Sequence, residues 1–215
     1  MASQGPLYPG TIATEYYVGA VGDWATPNNA KVEDGTETSA YNHWNVTGLY
    51  KIKATGFSFA IPSSAVIDRI TVEYKRRASQ NVTTGGSEHY IALADIYPVK
   101  VGSTPEGWAI ESPLPLSLAW VSFANSTNAG HEDDPLWAMS WTPANVNDTG
   151  FGVAAVLVVH THDNATDVTA YVDAFRITVD YTLSGYQHKV LGVPAANIGK
   201  IMGIPTANIA KFNGV

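Results

Sequence analysis

The sequence predicts an all-β fold: an antiparallel β-sandwich of jelly-roll type, with a C-terminal tail of short-strand repeats. Three observations predict it. Runs of apolar and β-branched residues with a period of two recur at short intervals, bounded by Gly, Pro and Asn. No stretch shows the 3.6-residue apolar period of an amphipathic helix. The C-terminus, VLGVPAANIGK-IMGIPTANIAK-FNGV, repeats in register every eleven residues.

In chain order, residues 1–21 are rich in Gly, Pro and Tyr and read as an extended N-terminal arm, becoming a strand near Thr14–Val21. Residues 22–184 carry the sandwich, and residues 185–215 the tail. Trp24–Gly35 is dense in Pro, Asn and Gly and reads as a loop. Tyr50–Ala54 is a short alternating strand. Gly56–Ile61 places Phe57, Phe59 and Ile61 on one face. Pro62-Ser63-Ser64 ends that run. Ile67–Lys75 alternates again, with Ile70, Val72 and Tyr74 together. Gln80–Ser87 is a polar loop. Tyr90–Val99 and Leu116–Phe123 are further strands, separated by a Pro/Gly-rich segment. Asn125–Pro135 is a long acidic loop. Thr142–Asp148 suits one helical turn, with Thr142 as N-cap and Pro143 at the first helical position. Phe151–Thr161 is apolar enough for a central strand buried on both faces. Val168–Thr182 is the last long strand, with a bend near Asp173.

Composition narrows the function. Charged residues make up 14% of the chain, against about 25% in an average soluble domain. The formal net charge is −7, which gives no electrostatic reason to bind nucleic acid. Lys75-Arg76-Arg77 is the one basic run and reads as a solvated strand end. There is no cysteine, hence no disulfide, thiolate nucleophile or cysteine-type zinc site. No apolar run reaches the length of a membrane span. No secretory leader is legible at Met1-Ala2-Ser3-Gln4.

In the tail, Val190, Ile201 and Phe212 occupy equivalent positions, as do Ile198 and Ile209. A unit this short buries no core of its own and needs stacked neighbours or other chains. These five residues are therefore the expected oligomer or anchoring interface, with a cyclic homo-oligomer expected and a trimer favoured.

The sites that chemistry would use are few. His160 and His162 share a strand face at chelating spacing, but polar residues are ordinary at a strand end. His131-Glu132-Asp133-Asp134 and Asp34-Gly35 offer oxygen ligands without an EF-hand register, so a solvated loop and a plain turn are preferred. No metal and no cofactor is expected. Glu73, Asp95 and Asp173 lie on strands, and a glycoside-cleaving enzyme would have to bring two carboxylates together. No nucleophile elbow, P-loop or HExxH motif is present, so no catalytic residue is expected. Trp24, Trp44 and Trp108 sit near loops and are the expected sugar-stacking residues of a second reading, a carbohydrate-binding module used for host attachment. Trp120, within an apolar strand, is expected in the core.

Four segments carry a resemblance: NNA…DG at Asn28–Gly35, GFSFAIPSSAVIDRITVEYKRRA at Gly56–Ala78, LW…WTPANVNDTGFGV at Leu136–Val153 and YVDAFRITVDYT at Tyr171–Thr182. In order and spacing, over roughly Pro9–Thr182, they resemble a jelly-roll domain of tailed-phage virion proteins. The tail is similar to short terminal repeats attached to phage and marine bacterial structural proteins. The resemblance implies a non-enzymatic structural role in a virion, as fibre, collar, tail or capsid decoration, with other virion proteins as partners. One position departs from the pattern: Ala138 stands where Gly is expected after Trp137, and a Gly there would ease a tight backbone approach.

Overall fold

The computed structural model describes residues 1–16, 23–42, 47–80, 90–102, 116, 119–123, 134–160, 168–183, 200–201 and 204–205. Its strands are β1 (Ala2–Leu7), β2 (Thr11–Tyr16), β3 (Thr38–Asn42), β4 (Thr47–Thr55), β5 (Ala65–Ala78), β6 (Tyr90–Val99), β7 (Ala119–Phe123), β8 (Gly152–His160) and β9 (Val168–Leu183). A single helical turn, α1 (Pro143–Val146), precedes β8, and a short pair, β10 (Lys200–Ile201) and β11 (Ile204–Pro205), lies in the tail. The strands form two antiparallel sheets, one in the order β1-β9-β5-β7 with β3 also on β9, the other in the order β2-β4-β8-β6. The fold is the all-β sandwich that the periodicity predicts.

The core is the alternate set of each strand. Ile70, Val72 and Tyr74 of β5 face Ile177 and Phe175 of β9 on the inner side, all fully buried. Tyr74 stacks between Phe123 and Phe175, with ring centroids 6.2 and 5.9 Å away. From the second sheet, Tyr50 and Ile52 of β4, Ile91, Leu93 and Ile96 of β6, and Leu157 of β8 close the layer. Burying each such side chain stabilises by about 1.5–3 kcal/mol. Strand β8 lies between β4 and β6 and is buried from Gly152 to Leu157 on both faces, as its unbroken apolar run requires. Its first residue, Gly152, has to be glycine, because a Cβ there would meet the Ala54 carbonyl oxygen at 1.9 Å.

Three expectations are corrected. The N-terminal segment is no separate arm: β1 pairs with β9, and β2 pairs with β4 residue for residue, so both sheets use it. Gly56–Ile61 buries Phe57, Phe59 and Ile61 as its alternation predicts, but it is not a ladder strand. Its ends are tied elsewhere: the Gly56 amide donates to Phe151 O, and the Ile61 amide to the Asn147 side chain. Finally, Arg76 is not a solvated strand end. It points between the sheets, 4% exposed, donating to Ala119 O.

Two details of the reading match in position. Thr142 caps α1 in a reciprocal box with Asn145, and Pro143 opens the turn. Strand β9 is irregular at Asp173: Lys75 pairs with Ala174 and Arg76 with Val172, leaving Asp173 as the extra, bulged residue.

Past the end of β7, the segment 134–141 takes over the edge of β5. Ile70 donates its amide to Pro135 O, and the Trp137 indole donates to Ile70 O at 2.8 Å. Trp137 is 1% exposed and plugs this end of the sandwich. To aim it inward, both Trp137 and Ala138 take positive φ, 58° and 56°, and Asp134 fixes the turn by accepting from the Leu136 and Ala138 amides. An L-residue in this region costs about 1–2 kcal/mol. Ala138 is exposed, so a Gly there loses little packing. Ala138→Gly is expected to raise the melting temperature by roughly 1–3 °C, read by calorimetry. An unchanged or lower melting temperature would show that the turn is not strained at this residue.

Candidate functional site on the outer sheet faces

The period of two that builds the core also sends a second set of side chains outward. On the five-stranded sheet, Glu73, Lys75 and Arg77 of β5 point to solvent beside Trp120 and Ser122 of β7 and Tyr171 and Arg176 of β9. Two arrangements of the same kind result. Glu73 accepts from Arg176 Nε and Nη2 at 2.9 and 3.0 Å, and the guanidinium lies 3.9 Å from the Trp120 ring centroid. Glu37 accepts from Arg77 Nε at 2.7 Å and from its Nη2, and that guanidinium lies 3.7 Å from the Tyr171 ring. Each is a fork-shaped ion pair stacked on an aromatic plane, a geometry that only arginine provides.

A strap of residues 32–37 reaches over this face. It leaves the sheet edge at Lys31, which forms an isolated bridge with Ala174 in the gap between β1 and β3. Gly35 donates its amide to Asp173 Oδ1 at 3.1 Å, and Lys75 Nζ lies 3.0 Å from Asp173 Oδ2, an ion contact without good hydrogen-bond alignment. Lys75 Nζ also donates to Glu33 Oε1 at 2.9 Å. Trp120 Nε1 donates to the same oxygen at 3.0 Å, and Tyr8 Oη to Oε2 at 3.3 Å. The Lys75 and Trp120 bonds hold the Glu33 carboxyl below its ordinary range.

The outer face of the four-stranded sheet differs. One row across it reads Glu15, Lys51, Val156, Asp95. Lys51 donates to Glu15 at 2.8 Å, while Asp95 sits opposite apolar Val156 with Oδ1 buried and unpartnered among the described residues. Burial pushes the Asp95 carboxyl up to about 7, and the Ile96 amide and Lys51 offset this only in part.

The expected site residues fare unevenly. Trp24 is 4% exposed and packs edge-on against Tyr50, so it belongs to the core and not to a sugar ledge. Trp44 and Trp108 lie outside the described residues. Trp120, expected inside, is partly exposed on the outer face: its partner across the ladder is Lys75, which points out. Parity with β5 is the signal that places it. Glu73 and Asp173 are on one sheet face but each is held by a cation, and Asp95 is on the other sheet, so no two of the three pair. Of the ligand candidates, Asp34 closes a turn onto the Thr36 amide, Asp134 caps the Trp137 turn, and His162 and residues 131–133 lie outside the described residues. Among the described residues, no three His, Asp or Glu side chains form a metal-sized group. In the tail, Ile201 of β10 pairs with Ile204 of β11. Val190, Ile198, Ile209 and Phe212 lie outside the described residues.

Fold and faces define the class: an antiparallel β-sandwich with a polar, aromatic outer sheet. Two solved structures are similar to it at low identity. One is the module TmCBM61 in complex with β-1,4-galactotriose, with 11% identity over 80% of this chain and 93% of that chain and a TM-score of 0.38. The other is a CBM4 module, with 13% identity over 80% of this chain and 94% of that chain and a TM-score of 0.39. No family model and no curated protein matches the chain.

The buried Asp95 carboxyl has a pH signature. A folded-state value near 7 against about 3.9 unfolded means that the folded chain binds the extra proton between those limits. Stability from this group is therefore present at low pH and is lost as pH rises toward 7. Melting temperatures of Asp95→Asn and the parent, compared at pH 5 and pH 8, should show the parent losing more stability on going to pH 8. Equal losses would show that Asp95 titrates normally.

Proposed function

We propose that this chain is a non-catalytic protein of a bacteriophage particle that recognises a surface glycan with the outer face of its five-stranded sheet and is held in its assembly by the C-terminal repeats. The observation that carries the recognition is Trp120. Its indole is partly exposed on a strand and oriented by Arg176 on its plane and Glu33 at its nitrogen, with Tyr8 bonded to the same carboxylate. A sugar needs an apolar surface for its C–H face and fixed polar groups for its hydroxyls. Arg176 lies on one face of the Trp120 ring, and the partly exposed remainder of the indole with the Glu73–Arg176 pair supplies both kinds on rigid strands.

The non-catalytic part is supported by how the carboxylates are used. Glu73 is bound to Arg176 and Asp173 to Lys75, whereas a glycosidase holds two carboxyl groups about 5–9.5 Å apart across a cleft. The particle assignment rests on the resemblance of the four quoted segments. The tail assignment rests on the eleven-residue register, to which the short antiparallel pair β10–β11 adds the expected form. In that reading Val190, Ile198, Ile201, Ile209 and Phe212 pack between chains of a homo-oligomer, with a trimer favoured.

Trp120→Ala is expected to lower glycan binding at least about tenfold on a glycan array, the order of one lost stacking contact, with the melt unchanged because the ring is not in the core. Binding that is indifferent to Trp120 would remove this face from the reading. The tail is tested separately. Deleting Tyr186–Val215 should reduce the mass measured by light scattering to that of one chain while the sandwich still melts cooperatively, and an unchanged oligomer would remove the tail from assembly.

A further inference from the structure

The Glu33 carboxylate is the meeting point of three donors from three separate parts of the fold. Lys75 Nζ comes from β5, Trp120 Nε1 from β7, and Tyr8 Oη from the turn between β1 and β2. The donors belong to strands or to the turn that joins them, but the acceptor does not. Residues 32–36 are all exposed, and Gly35 within the strap has φ +80° with open space where a side chain would stand. The Glu33 side chain is itself 36% exposed. The sheet thus presents a preformed cradle for one carboxylate, and a solvent-exposed loop supplies the present occupant. An exposed ion pair of this kind adds little to stability, so exchanging its carboxylate for another is cheap. Trp120 itself stands beside the carboxylate position, with Arg176 on one face of its ring.

We infer that the Lys75–Trp120–Tyr8 cradle is a receptor for the carboxylate of an acidic sugar, and that Glu33 occupies it until such a residue displaces it. This rests on the proposal that the face binds glycans, and it names the class: uronic-acid-type residues in preference to neutral ones. Glu33 lowers the apparent affinity by the fraction of molecules in which it fills the cradle. Glu37 does not share this role: its side chain is 15% exposed against 36% for Glu33, and its backbone carbonyl accepts from Asn29, which ties it to the fold.

Calorimetric titration of the full chain with polygalacturonate, with a neutral galactan and with polyglutamate, all at physiological ionic strength, tests it. Glu33→Ala is expected to bind polygalacturonate about tenfold more tightly than the parent, and adding Lys75→Ala should abolish the gain. The neutral galactan, which has no carboxylate for the cradle, should show no gain in the variant. Glu15→Gln, a carboxylate removed from the opposite sheet, controls for the change in net charge and should leave affinity unchanged. Glu33→Gln keeps the side-chain volume and should show the same direction, and melting curves of both variants check the fold. No gain in Glu33→Ala and Glu33→Gln, an equal gain for the galactan, or a gain for polyglutamate overturns the acidic-sugar assignment. Neutral binding that persists and depends on Trp120 leaves the glycan face standing while this inference falls. Absence of binding to either glycan removes both.

Discussion

The ladder between β5 and β9 is the constraint on which the other elements depend. It is the longest pairing among the described residues, running from Ala65–Leu183 to Ala78–Ala170. Every other strand of its sheet is placed by one of these two: β7 by β5, and β1 and β3 by β9. The ladder is not regular, and its irregularity is productive. The bulge at Asp173 drops one residue out of register, and bulges add local twist and re-aim side chains. Here the result is a carboxylate with no exposed surface, held by the Gly35 amide and Lys75. The strap is anchored at that point, so the arrangement of the outer face follows from one extra residue in one strand.

The same period of two gives the two sheets different outer faces. On the five-stranded sheet Glu73 meets Arg176 across the ladder, and the strap brings Glu33 and Glu37 to Lys75 and Arg77. Such a network is satisfied without a ligand, and its value is orientation: an arginine fixed at two nitrogens cannot wander, nor can the ring beneath it. On the four-stranded sheet the central strand is too apolar to supply partners. Val156 stands where a cation would neutralise Asp95, and Lys51 is already taken by Glu15. Among the described residues, one face is organised by completed pairs, and the other carries Asp95, whose burial Lys51 and the Ile96 amide offset only in part.

Much of the fold was legible because burial writes itself into the sequence as alternation. Ile70, Val72 and Tyr74, the continuous run of β8, the Thr142-Pro143 turn and the irregularity at Asp173 were all read from local pattern. The misreadings share a cause: each depends on which strand lies next door. Phe57 and Phe59 alternate like a strand, yet that segment has no ladder partner. The N-terminal residues carry little apolar signal, and their place is set by β9 and β4. Ala138 departs from the pattern in sequence, and it stands at positive φ directly after Trp137.

Trp120 shows why the site was harder to read than the core. In AWVSF it looks buried, since a large aromatic among apolar neighbours usually is. Its direction is decided by the opposite strand: Val121 pairs with buried Tyr74, so Trp120, paired with Lys75, must face out. Trp24 makes the converse case, a loop tryptophan drawn inward to pack on Tyr50. A core residue is recognised by its own chemistry, because burial favours apolar groups wherever they occur. A site residue on a sheet is recognised only once register is known, because its meaning lies in the neighbours at its sides. Here those neighbours are an arginine held by Glu73 and a carboxylate delivered by a loop, and neither is near Trp120 in the chain. Tertiary pairing alone turns an ordinary edge-strand tryptophan into an oriented aromatic plane.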